Sequence, residues 1–389
     1  LFTGRMTTEI NLRDNHTQRP EVDPTETILK QGLGWLLRDA GYRAVYAGKQ
    51  HFPKYKAEDI GFEVLTMDER DELASECERF LADPPDQPFC LVASFINPHD
   101  ICYMAIRDAA STPQDQAILD RGVVECAELD EALKRPEGVS EAEFLDKHCP
   151  PLPDNFAPQA DEPEIFQDLL NERPFRRNAR EHWPAERWRM HRWAYARLTE
   201  RVDAQIGRVL DALDMSGLAD HTLVIFTSDH GDHDGSHGFE HKTLFYDEAS
   251  RIPFIIAGPG VPQGQVDDEH VINNGLDLVP TFCDYAGADV PDDLEGLSLR
   301  GLVEGGGPDW REATPMANQV GYAVVSRTHK YAMHDHGANA EQLWDLVNDP
   351  GETRNALRDP DQAEALARHR RRFTEFWPKD KQVMPSQSP

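Results

Sequence analysis

Apolar positions follow a helical period in three segments of the chain. Residues 25 to 40 place the apolar residues from Ile28 to Leu37 on one face, and Gly41 follows where glycine commonly ends a helix. Residues 188 to 213 repeat the pattern over a longer stretch, and residues 361 to 377 form a more polar amphipathic segment. The pattern predicts one helix in each segment.

Short apolar runs between these helices have the length of β-strands. They bring Val, Ile, Phe and Ala together and end at Gly, Pro or polar residues, which is typical of buried strands. Because helices alternate with strands that are apolar throughout, the chain predicts an α/β fold, with a large mixed, mostly parallel sheet between two layers of helices. The four predicted strands are residues 43–47, 89–97, 222–227 and 252–260.

The end of the chain has a different pattern. Residues 321 to 334 alternate between apolar and polar side chains like an antiparallel strand, and the stretch EQLWDL adds a shorter one. The glycine-rich stretch VEGGGPDW, residues 303 to 310, is typical of a linker. We therefore predict a large α/β domain over residues 1–302 and a small C-terminal subdomain over residues 311–389, in which an antiparallel sheet packs with a helix.

Charge and composition exclude several classes of protein. The chain has 70 acidic and 40 basic residues, a formal charge of −30, which repels nucleic acid. The longest apolar runs, residues 89–96 and 252–257, are far shorter than the roughly 20 residues that span a bilayer, so no membrane span is predicted. Six cysteines show neither a C-x-x-C pair nor the spacing of a zinc finger.

Basic side chains and histidines follow three of the predicted strands. Lys49 and His51 come after the first strand, His99 follows the second, and the third runs into SDHGDHDGSHGFEHK, residues 228 to 242. Open α/β sheets keep their active sites at the carboxyl ends of strands. We therefore expect these side chains to lie within about 10 Å of a common centre and to form an anion site.

Other interpretations of the same residues remain open. His233, His237 and His241 recur every four positions, which suggests a zinc site on a helix, although glycines at 231, 235 and 238 argue against a helix there. Residues 228 to 242 could instead form a surface loop that is rich in Asp and His. Lys49 and His51 could be an exposed pair at a strand end, and His99 a solitary histidine.

The residue types suit hydrolysis of a sulfate or phosphate ester. Asp229 offers oxygen and His230 nitrogen to a divalent cation that would polarise the ester. Lys49 and Lys242 would place fixed positive charges on the remaining anion oxygens. His51 and His99, whose ordinary pKa lies near neutrality, could each move a proton to a leaving oxygen.

Five motifs together resemble the sulfatase family of the alkaline phosphatase superfamily. FTGR, Phe2 to Arg5, is similar to the end of the family signature C-x-P-S-R-x-x-x-L-T-G-R, with Phe in place of Leu. GKQHF resembles the element G-K-W-H-L, and NPHD resembles P-H-x-P. Residues 228 to 260 resemble the second metal segment, and LWDLVNDPGETRNAL resembles the family's C-terminal L-Y-D-L-x-x-D-P-x-E-x-x-N-L.

The resemblance assigns roles to individual residues. It implies that Asp229 and His230 are metal ligands for Ca²⁺, with Mg²⁺ or Mn²⁺ as alternatives. It implies that Lys49 and Lys242 hold the sulfate, that His99 protonates the departing alcohol and that His51 helps to expel sulfate from a covalent intermediate. Asn15 resembles a position that contacts substrate in some phosphonate and diester hydrolases of the superfamily.

The resemblance also implies a nucleophile that the chain as given does not contain. The signature Cys, which family enzymes convert to formylglycine, would fall before Leu1, together with two Asp ligands of the metal and the first strand. We therefore expect an N-terminally incomplete copy that turns over no aryl sulfate and binds calcium poorly.

The predicted function is hydrolysis of a sulfate ester on a sugar or other small organic molecule through a covalent sulfo-enzyme. One alternative is a phosphonate monoester or phosphodiester hydrolase of the same superfamily. Many of those enzymes carry Tyr and Thr where this chain has Lys49 and His51, so the pair favours sulfate. The other alternative is a homologue that binds anions without catalysis.

Overall fold

The computed structural model describes residues 1–10, 13, 25–52, 55–305 and 309–378. The helices are α1 Glu26–Lys30, α2 Leu33–Asp39, α3 Asp71–Ala82, α4 Cys102–Ala109, α5 Pro113–Arg121, α6 Val123–Ala132, α7 Glu141–Glu143, α8 Ile165–Glu172, α9 Pro174–His182, α10 Ala185–Ser216, α11 Asp247–Ser250, α12 Asn274–Ala286, α13 Arg300–Glu304 and α14 Ala363–Phe376. The strands are β1 Arg43–Gly48, β2 Glu63–Thr66, β3 Phe89–Ser94, β4 Val224–Thr227, β5 Phe254–Ala257, β6 Ala313–Asn318, β7 Gly321–Ser326, β8 His329–His334 and β9 Glu341–Asp345.

A parallel sheet of three strands, in the order β2-β1-β3, is covered by helices on both faces. Alternate residues of β1 point to opposite faces. Ala44 and Tyr46 pack with residues of α2 and α12, whereas Val45 and Ala47 pack with residues of α3, joined on the Val45 side by the end of α10. Because both faces are covered, β1 is buried from Ala44 to Gly48, and the polar residues of the site come after it ends.

The large, mostly parallel sheet that the pattern predicted is not present in the part of the chain that the structure describes. Strands β4 and β5 pair antiparallel in a separate sheet of two strands, with Phe226 opposite Ile255. The prediction was wrong in this respect because an apolar run shows that a strand is buried without showing its direction. The fold is nevertheless α/β, with parallel strands enclosed by helices.

Two helix predictions had different outcomes. The segment of residues 25 to 40 divides into α1 and α2, because the chain turns at Gly32, where a Cβ would lie 2.5 Å from Ile60 Cβ. The long helix is confirmed as α10, which ends at Gly217 with a left-handed φ of 74°. None of the helices in the described ranges combines the length and apolar character needed to cross a membrane.

The C-terminal strands form an antiparallel sheet in the order β6-β7-β8-β9. Residues 321 to 334 are two strands joined by a tight turn, rather than one strand as the alternation suggested. The predicted final helix is confirmed as α14, which packs on this sheet through Phe373 and Trp377.

The C-terminal sheet shares a hydrophobic core with the preceding part of the chain. Ala323, Ala332 and Trp344 of the sheet pack with Phe166 of α8 and Tyr246. A division of the chain into residues 1–302 and 311–389 therefore stays a prediction. Within the proposed linker, α13 extends to Glu304, and residues 306–308 lie outside the described residues.

Candidate functional site

Lys49 lies directly after the buried strand β1. Gly48 has φ +96°, and a Cβ there would lie 2.1 Å from Leu73 Cδ1 and 2.3 Å from Ser94 O, so only glycine fits at this turn. The Lys49 amide donates to Ser94 O at 2.8 Å, which continues the pairing with β3. The Lys49 side chain is 14% exposed, and its Nζ lies 3.7 Å from Asp229 Oδ2 at the end of β4.

His99 begins a short helical turn after β3, behind the cis peptide bond between Asn97 and Pro98. The next residue, Asp100, is fully buried and accepts two hydrogen bonds from Arg70, at 2.6 Å to Oδ1 and 3.1 Å to Oδ2. A two-bond pair of this kind holds both side chains in one orientation. It therefore holds the turn from which the His99 side chain projects.

Asp229 and His230 follow β4 directly. The Asp229 carboxylate accepts a hydrogen bond from the His230 amide at 3.0 Å. His230 Nδ1 lies 2.8 Å from Gly231 O, so Nδ1 carries the ring proton and Nε2 presents its lone pair. That Nε2 lies 3.4 Å from Asp229 Oδ2, which places two electron-pair donors side by side.

Lys242 lies in an irregular segment rather than on a helix. Its two neighbours, His241 and Thr243, have φ +66° and +118°, a region that residues other than glycine rarely adopt. The carbonyl of Thr243 accepts a hydrogen bond from the Asn318 side chain, which ties the segment to the C-terminal sheet. The tertiary structure therefore sets the direction of the Lys242 side chain against local backbone preference.

The alternative of a zinc site on a helix is not supported. His233, His237 and His241 are buried, and the last two have left-handed φ values that no helix contains. The described residues include no group of three or more His, Cys, Asp or Glu side chains that could hold a metal ion. The alternative of a surface loop does not hold for residues 235 to 241, which are all buried, whereas residues 228 to 232 are partly buried or exposed.

The ionisable groups that follow β1, β3 and β4 lie close enough to shift one another's pKa values. Burial, together with the charges of Lys242 and Lys49, lowers the pKa of His99 to about 3. Burial and Lys242 lower the pKa of His230 to about 4. The pKa of His51 is lowered by desolvation and then by the same two lysines. At neutral pH the site therefore combines neutral imidazoles with ammonium groups, a composition that attracts anions.

Asp229 is the carboxylate at the centre of these groups. Desolvation would raise its pKa, but the charges of His230, Lys49 and Lys242 outweigh it and the pKa is lowered. The structure thus brings Asp229 and His230 together with Lys49, and places Lys242, His51 and His99 close enough to act on them. Asn15 lies outside the described residues.

A divalent cation fits this site in part. Asp229 Oδ2 and His230 Nε2 are suitable donors 3.4 Å apart, and the hydrogen bond from Nδ1 to Gly231 fixes the ring as in many metal-binding histidines. They are two ligands, whereas hard divalent cations take six or more. The described residues therefore provide a partial donor set.

The cysteines do not take part in this site as nucleophiles. All six are free, and burial raises the pKa of every thiol, to about 12 for Cys77 and Cys90 and to about 11 for Cys102 and Cys283. The attacking species in cysteine chemistry is the thiolate. None of these thiols is ionised to a useful extent at neutral pH.

Sequence reasoning missed two arginines near the site. Arg70 holds Asp100 from a position 30 residues earlier in the chain. Arg176, on α9, donates to Thr243 Oγ1 at 3.5 Å. Both lie in polar stretches that contain several arginines and glutamates, so no local signal distinguishes them from surface charges.

Comparison with known proteins agrees with this geometry. The family profile described as Sulfatase matches residues 1–288, and the profile described as N-sulphoglucosamine sulphohydrolase, C-terminal, matches residues 235–378. The chain is 30% identical over 401 aligned positions to the Delta 4,5-hexuronate-2-O-sulfatase of Bacteroides thetaiotaomicron, an alignment that covers 95% of this chain and 76% of that protein.

Solved structures agree as well. A structure described as a 2-O GAG sulfatase superposes with a TM-score of 0.78 at 28% identity and covers 98% of this chain and 81% of its own. The phosphonate monoester hydrolase of Silicibacter pomeroyi superposes with a TM-score of 0.65 at 21% identity, over 97% of this chain and 84% of its own, which shows a shared fold. Because a family profile and a relative both cover most of its length, the chain belongs to the sulfatase family of the alkaline phosphatase superfamily.

Proposed function

We propose that the protein hydrolyses a sulfate ester on a sugar. The observation that carries this proposal is the pair Lys49 and Lys242, whose charges act on His51, His99 and Asp229 at one place. A monoanionic sulfate needs fixed positive charge on its oxygens, and two ammonium groups beside neutral imidazoles supply it. The 30% identical relative is named as a hexuronate-2-O-sulfatase, which supports a sugar as the organic part.

The side chains have separate tasks in this proposal. Lys49 and Lys242 bind the sulfate oxygens most strongly as these gain charge in the transition state. His99, held by the buried pair of Asp100 and Arg70, gives a proton to the departing alcohol. Because burial and the two lysines lower the pKa of His99 to about 3, the ring would take up this proton only when the anionic sulfate offsets the charge of the lysines. His51 acts after the alcohol has left, when sulfate is expelled from the covalent intermediate.

Asp229 and His230 would contribute two ligands to a divalent cation, Ca²⁺ by family resemblance. Such a cation would supply further positive charge beside the sulfate oxygens. All six cysteine thiols have raised pKa values, so none of them is proposed as the nucleophile.

Steady-state kinetics of the protein as its gene encodes it, supplied with calcium, test the proposal. Nitrophenyl sulfate, a sulfated sugar and the nitrophenyl monoester of phenylphosphonate are compared as substrates. We expect Lys242→Ala and Lys49→Ala to lower kcat/KM on both sulfates by about 10²-fold or more, as loss of transition-state charge stabilisation does. Lys134→Ala is the matched control, because that lysine is 66% exposed and pairs with Glu131.

The leaving group identifies the role of His99. His99→Ala is expected to cost about 10²-fold or more on the sugar sulfate and much less on nitrophenyl sulfate, whose anion needs no proton to leave. Equal losses on the two sulfates would show that His99 positions the sulfate instead. Preference for the phosphonate monoester over both sulfates would overturn the proposed function in favour of a phosphonate monoester hydrolase.

A further inference from the structure

Arg176 lies between two of the segments that form the site. Its Nη2 donates to Thr243 Oγ1 at 3.5 Å, one residue from Lys242. The ring of the neighbouring Phe175 packs against the ring of His241, with centroids 5.3 Å apart. Helix α9, which carries Arg176, packs on α4, which starts three residues after His99. Arg176 therefore lies beside the segment that carries Lys242, on a helix that packs against α4.

The charge of Arg176 has no carboxylate partner within 4 Å among the described residues. The other two arginines of α9 are paired, Arg177 with Glu181 at 3.2 Å and Arg180 with Glu162 at 2.7 Å. Within the part of the chain that the structure describes, Arg176 donates to the Thr243 hydroxyl and its buried Nε has no hydrogen-bond partner. A guanidinium that is mostly removed from water without an anion is costly, which indicates that an anion belongs beside it.

The carboxylates near Arg176 among the described residues do not pair with it. Asp232 and Glu172 are the carboxylates whose charges reach Arg176, and neither forms an ion pair with it. Burial, followed by the charge of Arg173, lowers the pKa of Arg176 to about 10, so the group still carries its charge at neutral pH. The guanidinium presents a planar fork of donors, which matches the two oxygens of a carboxylate or two of those of a sulfate.

We infer that Arg176 binds a second anionic group of the substrate, a carboxylate or a second sulfate, while Lys49 and Lys242 hold the sulfate that is cleaved. This inference rests on the proposed function and narrows the substrate to a sugar that carries two negative groups. Arg176 contacts Thr243, the residue after Lys242, and the charges of Arg176 and Lys242 both act on His241 and on Cys102. The two cationic groups therefore lie near the same residues, and a sugar with two anionic groups suits them.

Substrate comparison with the wild-type protein is the first test. Three sugar sulfates are compared: a 2-O-sulfated uronate, its carboxyl-reduced neutral counterpart and a neutral sugar with two sulfates. We expect kcat/KM to be about 10- to 100-fold higher for one or both of the doubly charged substrates, the usual effect of a hydrogen bond to a charged group. Whichever doubly charged substrate is preferred identifies the second group. Equal rates on all three would overturn the inference and leave the proposed function intact.

Variants connect that preference to the arginine. Arg176→Met is expected to remove the preference, because kcat/KM should fall about 10- to 100-fold further on the doubly charged substrate than on the carboxyl-reduced counterpart. Arg176→Lys should restore part of the preference, since it keeps the charge and loses the fork. Arg177→Met is the matched control from the same helix. Equal loss on all substrates, or a preference that survives Arg176→Met, contradicts the inference, whereas a wild-type protein that cleaves no sulfate contradicts the proposed function itself.

Discussion

Replacing Lys330 by methionine should destabilise the fold more than any surface change. Lys330 on β8 is fully buried, and its Nζ donates to Phe245 O at 2.7 Å, Asp247 Oδ1 at 2.5 Å and Glu352 Oε1 at 2.7 Å. Glu352 is itself 1% exposed, and its second oxygen accepts the Asp247 amide at 2.6 Å. This group joins the C-terminal sheet to the segment that follows Lys242.

The magnitude follows from what the substitution leaves behind. Three hydrogen bonds from a charged donor contribute about 4.5 to 9 kcal/mol before desolvation, at about 1.5 to 3 kcal/mol each. Methionine fills the same space and removes the desolvation cost of the ammonium, which offsets part of that sum. Glu352 is left buried without its cation, so we expect a net loss of about 3 to 5 kcal/mol in the free energy of unfolding.

The dependence of stability on pH distinguishes a buried Glu352 without its cation from poor packing of the methionine. Burial already raises the pKa of Glu352 above its ordinary value although Lys330 opposes the shift, and removal of Lys330 should raise it further. Glu352 is then neutral in the folded variant at a pH where the unfolded chain ionises it. The stability of the variant is therefore highest below about pH 4.5, the ordinary range for a glutamate, and falls as the pH rises through neutrality.

Urea denaturation followed by tryptophan fluorescence at pH 5 and pH 8 measures both effects. Lys134→Met, at an exposed lysine, should stay within about 0.5 kcal/mol of wild type. The double variant Lys330→Met/Glu352→Gln should recover part of the loss, since the uncompensated carboxylate is gone. A loss below about 1 kcal/mol, or a loss of the same size at both pH values, would refute the reasoning, because breaking a buried pair costs about 3 to 5 kcal/mol.

Two further predictions concern other buried ionisable side chains. Asp100→Asn leaves Arg70, among the described residues, with the carboxylates of Glu125 and Glu69, at 3.5 and 4.0 Å. We therefore expect a loss of about 2 to 4 kcal/mol in the free energy of unfolding, and a lower kcat because the turn that carries His99 is less well held. An unchanged melting temperature would contradict this. Burial lowers the pKa of His334 to about 4, so its stabilising contribution is complete above pH 6.5 and lost as the pH falls. Between pH 7 and pH 4 the free energy of unfolding should fall by about 3 kcal/mol more in the wild type than in His334→Gln. An equal fall in the two proteins would exclude that cause.

Local sequence determined the elements whose pattern is complete within a short window. The strands β1, β3, β4 and β5 and the long helix α10 were all predicted, because an apolar run or a helical period is set by neighbouring residues. The histidines, lysines and Asp229 at the strand ends were identified for the same reason. Lys49, His51, His99, Asp229 and His230 follow closely after a strand, and Lys242 belongs to the segment that continues from β4. The chemical roles assigned to them stay predictions.

The tertiary structure alone decided features that depend on contacts distant in sequence. Ile60 packs where a Cβ of Gly32 would lie and so separates α1 from α2, and β5 returns antiparallel to β4. Arg70 reaches Asp100, and Arg176 reaches Thr243 from 67 residues away. A side chain that is solvated in one fold can be buried in another with the same local sequence. Only packing therefore distinguishes these two arginines from the many charges that remain on the surface.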